Sequence, residues 1–179
     1  MTDPRHDHFA LFDLPPRFAI DEASLEQAYR RVQAQVHPDR FATAGAAERR
    51  VAMQWATRAN EAFRTLRSPL ARAAYLCERN GQPIEAESNT AMPAGFLMQQ
   101  MQWREELEQA RGGDREPARA LAREVQARRE EVLARVASAL DQRQDYADAA
   151  AGVRELHFID RFREELAAFL DGEAAAQGH

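Results

Sequence analysis

Apolar residues recur at every third or fourth position along most of this chain, and almost nowhere at every second. From Tyr146 to Leu170 the repeat is Val153, Leu156, Ile159, Phe162, Leu166 and Leu170; from Glu116 to Arg143 it is Leu121, Val125, Val132, Val136 and Leu140. That period gathers the side chains on one face of an α-helix. Glycine and proline fall mostly at the seams between such segments, where they end helices. The pattern predicts an all-α fold in which long amphipathic helices with short connections pack as an antiparallel bundle.

The rest of the chain follows the same rule. "FALFDLPP" is a short turn ended by Pro15 and Pro16. Asp21 is placed as the N-cap of a helix, with Ile20 and Leu25 as a hydrophobic staple. Leu25, Ala28, Tyr29, Val32 and Val36 form its buried face, and Arg30 and Arg31 point away from it. A helix from Ala46 to Leu66 carries Ala52, Trp55, Ala59, Ala62, Phe63 and Leu66 on its apolar stripe. Ser68-Pro69 restarts the chain through Tyr75 and Leu76. "NGQPIEAESNTAMP", residues 80–93, reads as a polar linker. Three further helices are expected over 94–111, 116–143 and 146–170.

Composition narrows the function classes. At 179 residues the chain fits one domain or two small ones. All 24 basic residues are arginine, which excludes a P-loop lysine and a Schiff-base lysine. Cys77 stands alone, so neither an internal disulfide nor a cysteine zinc site is available. Residues 1–80 carry 12 arginines against 10 acids, and residues 81–179 carry 12 against 19. The acidic second half argues against nucleic acid as a main ligand and suggests two modules with different partners. With no apolar run of membrane-spanning length and no signal-peptide pattern, a cytoplasmic protein with no membrane partner is expected. His6 and His8 flank Asp7 in a form that chelates metals, but such residues are more often a solvated terminus, and no metal is assigned.

The helix that begins after Asp21 is stopped by His37, Pro38 and Asp39. Pro38 fixes its own φ and pushes His37 out of the helical region, which presents Asp39 at the tip of a helical hairpin. A carboxylate fixed in that way suits a charge-assisted hydrogen bond to a partner's arginine. Alone, the tripeptide reads equally well as a helix stop. In context, "AYRRVQAQVHPDR" followed by "RANEAFRTL" and "SPLARAAYL" resembles the J-domain of co-chaperones that act on DnaK-type ATPases. The match rests on Ala28, Tyr29, His37, Pro38, Asp39 and Arg40 and spans roughly residues 7–76. Val36 and Glu26 depart from the usual pattern, a tyrosine and a basic residue respectively. The resemblance implies a chaperone-binding site at His37, Pro38 and Asp39, with Arg30, Arg31 and Arg40 steering the encounter. It further implies stimulation of ATP hydrolysis in the partner.

"AGFLMQQMQWREELEQA" has two apolar faces. At about 100° per residue, Trp103 and Leu107 fall within about 20° of Phe96, while Leu97 lies about 100° and Met101 about 140° away. The second face, which includes Met98 and has Glu105 beside it, is either covered by the preceding module or open to a partner. "FLMQQMQWREEL" with "VRELHFIDRF" resembles the HscB family, the J-proteins of bacterial iron–sulfur cluster assembly. The resemblance implies a client-binding patch of Leu97, Met98, Met101, Glu105 and Phe158 that receives the scaffold protein IscU for delivery to the chaperone HscA. Two family acids are here Gln102 and Gln109. Phe158 is expected to be exposed, because Leu156 and Ile159 fit the core stripe better.

The resulting expectation is a two-module, L-shaped adaptor, monomeric and not an enzyme, with no cofactor. Its parts are a J-domain over 1–79, a linker over 80–93, a three-helix bundle over 94–171 and a disordered tail over 172–179. The rivals are a J-protein with another client and a structural protein dimerising through the Leu97–Met101 face.

Overall fold

The computed structural model describes residues 7–36, 45–84, 93–111 and 115–176, the last four of these without their side chains. The described residues form helices α1 (His8–Leu11), α2 (Glu22–Val36), α3 (Ala46–Arg67), α4 (Pro69–Arg79), α5 (Ala94–Ala110), α6 (Glu116–Ser138) and α7 (Tyr146–Ala176). A π-helical turn, Ala139–Arg143, follows α6. The helix boundaries lie close to those expected from periodicity. The exception is α7, which continues past Leu170, so the tail expected from residue 172 is helical as far as Ala176.

Local chemistry accounts for the starts and stops. Asp21 accepts the Ser24 N–H at 3.0 Å at the head of α2. Ser68 accepts the Ala71 N–H at 3.3 Å at the head of α4, and Pro69 follows it, where a missing N–H costs nothing. After α4, Gly81 adopts φ 79° and the Gln82 N–H returns to the Cys77 carbonyl at 2.9 Å, closing a Schellman turn. That turn sends Ile84 into the core. The first residues of the segment read as a polar linker are therefore anchored.

Most residues of the stripes read from the sequence are buried, while Tyr29, Val32, Val36, Phe63 and Leu170 are half-buried. Phe96, Trp103, Leu107 and Ala110 seal α5; Leu121, Val125, Val132 and Val136 seal α6; Val153, Leu156, Ile159, Phe162 and Leu166 seal α7. Each fully buried large side chain contributes about 1.5–3 kcal/mol. Helices α2 and α3 pair, α1 lies on α3, and α6 pairs with α7. Helix α4 packs on α7, so one apolar cluster runs through both modules. Trp55 is a correction. It falls within the angular span of the stripe made by Ala52, Ala59, Ala62 and Leu66, yet it is 38% exposed, and the Arg58 guanidinium lies over its ring at 5.1 Å.

The amino terminus is a second correction. Asp7 is not solvated: it caps α1 through the Phe9 N–H at 2.9 Å and pairs with Arg79 at 2.9 Å. Its backbone neighbour His8 donates its N–H to the Tyr75 hydroxyl at 3.0 Å. A buried acid demands a partner, and α4 supplies one.

Candidate functional site: two faces on one helical frame

The first face belongs to the α2–α3 hairpin. Tyr29 stacks on Phe63 with ring centroids 4.1 Å apart. Its hydroxyl donates to Asn60 Oδ1 at 2.8 Å, and Gln33 Nε2 donates to both, at 2.7 and 2.6 Å. This half-buried network fixes the pairing of the two helices. Asn60, the middle of "RANEAF", was not singled out as a site residue, although the string was. With Tyr29 facing inward, Arg30 and Arg31 are exposed. Glu26 forms an ion pair with Arg30 at 2.6 Å, so Arg31 carries the more available charge. His37, Pro38, Asp39 and Arg40 lie outside the described residues.

The second face is the outer side of α5. Trp103 is sealed beneath it, stacked on Phe162 at 5.6 Å and donating its indole N–H to Glu124 at 2.8 Å. Opposite, Leu97 is 43% exposed and Met98 and Met101 are each 72% exposed. Met98, Met101 and Glu105 share a shallow depression with Gly95, Gln99 and Gln102. Leu97 is exposed on the first turn beside it. Among the described residues, nothing from the N-terminal module buries these side chains, and the second apolar face of the sequence is open. Gln102 donates to Glu106 at 2.9 Å and Gln109 to Glu105 at 3.4 Å, so both glutamine amides are turned onto neighbouring acids of the same helix.

Phe158 does not match its expectation. It is half-buried, with its ring edge-on to Phe96 at 5.8 Å. The T-shaped contact draws it toward the α5–α7 seam.

Other chemistry is sparse. Burial pushes the Cys77 thiol up to about 11, with Arg154 opposing, so it is not a ready nucleophile. Among the described residues no three His, Cys, Asp or Glu side chains group to hold a metal ion, and no helix is long and apolar enough to cross a membrane.

Residues 92–167 match the family model described as the HSCB C-terminal oligomerisation domain. The co-chaperone protein HscB homolog of Bordetella avium is 58% identical over 162 residues, covering 90% of this chain and 96% of that one. That of Burkholderia mallei is 51% identical over 172 residues, covering 96% and 98%. The chain belongs to the HscB family of co-chaperones. Among solved structures, chaperone HscB from Vibrio cholerae superimposes with a TM-score of 0.79 at 34% identity, covering 93% of this chain and 98% of that one. The human co-chaperone HscB gives 0.84 at 28% identity, covering 93% and 83%. The HscB fold thus carries both faces, and membership agrees with the resemblance drawn from the two sets of motifs.

Proposed function

We propose that this HscB-family protein couples two partners. Its J-domain stimulates the ATPase of a DnaK-type chaperone, HscA, through His37, Pro38, Asp39 and the arginines of α2. Its bundle carries the iron–sulfur scaffold IscU on Leu97, Met98, Met101 and Glu105, with Phe158 at the edge. The protein itself performs no catalysis and acts in the cytoplasm.

One observation carries the reading: three large apolar side chains stand exposed on a helix whose other face is fully sealed. Exposed methionines on one face adapt to a partner's surface, and at 72% exposure Met98 and Met101 bury little area against the bundle. Acids beside them favour a partner with a basic rim. Joining the two modules turns the second binding event into a local one, which raises effective concentration.

The test is ATPase turnover of the purified chaperone with this protein and the scaffold, added separately and together. The combination should exceed the product of the separate stimulations. Additive behaviour would overturn the coupling.

A second reading has one observation in its favour, the family model's description as an oligomerisation domain. The same α5 face would then pair two copies. Sedimentation equilibrium separates the readings, because a stable dimer that buries Leu97 and Met101 would leave no face for the scaffold.

A further inference from the structure

The turn that follows α1 and the π turn that follows α6 meet at one carboxylate. Asp141 Oδ1 accepts the Phe18 N–H at 2.7 Å, and Oδ2 accepts the Ala19 N–H at 2.8 Å. Two consecutive amides on the two oxygens of one anion fix direction as well as distance. Phe18 is 123 residues from Asp141, and the contact joins the N-terminal module to the bundle.

Both sides of this contact are built. On the bundle, α6 gives way to the π turn at Ala139, which closes with Gln144 at φ 53° and the Asp145 N–H on the Ala139 carbonyl at 2.9 Å. The wider turn ends the hydrogen-bond register of α6 and contains Asp141. On the other side, the Arg72 guanidinium lies over the Phe18 ring at 4.9 Å. Arg72 is itself buried and donates Nη1 to the Leu66 carbonyl at 2.8 Å. Burial lowers the Arg72 pKa, and the negative charges of Glu22 and Asp141 oppose that. Asp141 therefore also offsets a buried cation.

Helix α4 packs on α7 through apolar side chains. Apolar burial is non-directional: it holds two bodies together without selecting one rotation. Among the described residues, the directional contact between the two modules is the carboxylate clamp.

We propose that Asp141 is a positioning residue that sets the rotation of the N-terminal module against the bundle, and with it the angle between the α2 face and the α5 face. Its functional half rests on the two-partner reading above: a chaperone that engages α2 receives the client on α5 in one geometry only while the clamp is closed.

The test uses the full chain. Asp141→Ala removes both acceptors and Asp141→Asn keeps one. Residual dipolar couplings, measured without partners, should fit a single alignment tensor for both modules of the unmutated protein. Asp141→Ala should require two tensors, with Asp141→Asn between. Circular dichroism melting checks that the variants fold, and if Asp141→Ala does not, the comparison is made on Asp141→Asn. In the ATPase assay, stimulation without scaffold should be unchanged, and the extra stimulation from adding scaffold should fall about fivefold or more. Asparagine should restore part of it. A single shared tensor for the tested variant would overturn the proposal, as would equal losses with and without scaffold. If the unmutated protein shows no cooperation between its partners, the two-partner reading fails, while the tensors still judge the clamp.

Discussion

The ring of Phe158 meets that of Phe96 edge-on, centroids 5.8 Å apart and planes at 87°. Phe96 continues the chain of rings to Trp103, also edge-on at 6.4 Å. Phe158 thus supports the first turn of α5, the turn that bears Leu97 and Met98. Phe158→Ala should lower stability by roughly 2 kcal/mol, short of the cost for a fully buried ring. It should also weaken scaffold binding, and Phe158→Leu should restore most of both. Urea unfolding and scaffold titration on the two variants check this. Weakened binding with unchanged stability would make Phe158 a pure contact residue.

Leu97→Ala with Met101→Ala should separate binding from folding. Both side chains are exposed and stand one turn apart on α5. Truncating interface anchors at a hot spot costs at least about 2 kcal/mol each, roughly thirtyfold in affinity. Thermal melting should change little, and chaperone stimulation without scaffold should persist. A large fall in melting temperature with unchanged scaffold affinity would show that these residues serve the bundle.

The helices were legible because their periodicity is local: the stripe of Phe96, Trp103, Leu107 and Ala110 can be read from α5 alone. The open face of α5 was legible for the same reason, since one helix buries one stripe. The half-burial of Phe158 was not legible, because its partner Phe96 lies on another helix and which flank of the stripe turns inward depends on crossing geometry. The long-range contacts of Asp7 and Asp141 had no local signal. Their partners, Arg79 and the Phe18 and Ala19 amides, are far away in sequence. Glu155 is similar: 1% exposed, it lies between Arg135 at 2.7 Å and Arg128 at 3.3 Å, and its sequence neighbours do not suggest burial.

Gly152→Ala should destabilise the bundle. A Cβ there would collide with Val136 Cγ2 of α6. Alanine gains about 1 kcal/mol in helix propensity, but overpacking costs typically about 1–3 kcal/mol. A net loss in urea unfolding is expected, and Gly152→Ala combined with Val136→Ala should recover part of it. A more stable single variant would show that the helices separate at little cost.

The ion pair of Arg30 with Glu26 predicts an asymmetry between two adjacent arginines. Arg31→Glu should slow association with the chaperone more than Arg30→Glu, because the Arg30 charge is already partly offset. Surface charges act on encounter over about 8 Å at physiological ionic strength. Stopped-flow association at several salt concentrations measures this. Glu26→Gln should speed the encounter. Equal rates for all three variants would remove α2 from the docking surface.

Acid should loosen the amino terminus through His8. Its ring stacks on Tyr75 with centroids 4.4 Å apart. Burial holds its pKa below the ordinary 6.5 and Arg58 adds to that, while Glu61 and Asp7 oppose. The folded state therefore prefers the neutral ring. A group depressed in this way contributes its full stability above the unfolded pKa of 6.5, and loses it as pH falls toward the folded value. His8→Phe keeps the stacked ring and removes the titration. The stability of the unmutated protein relative to His8→Phe should be constant well above pH 6.5 and should decline as pH falls through 6.5 toward the lowered folded value. Urea unfolding of both proteins across that range reads the difference directly. A constant gap would mean that His8 titrates alike in the folded and unfolded chain, and that the terminus is held by the Asp7–Arg79 pair without it.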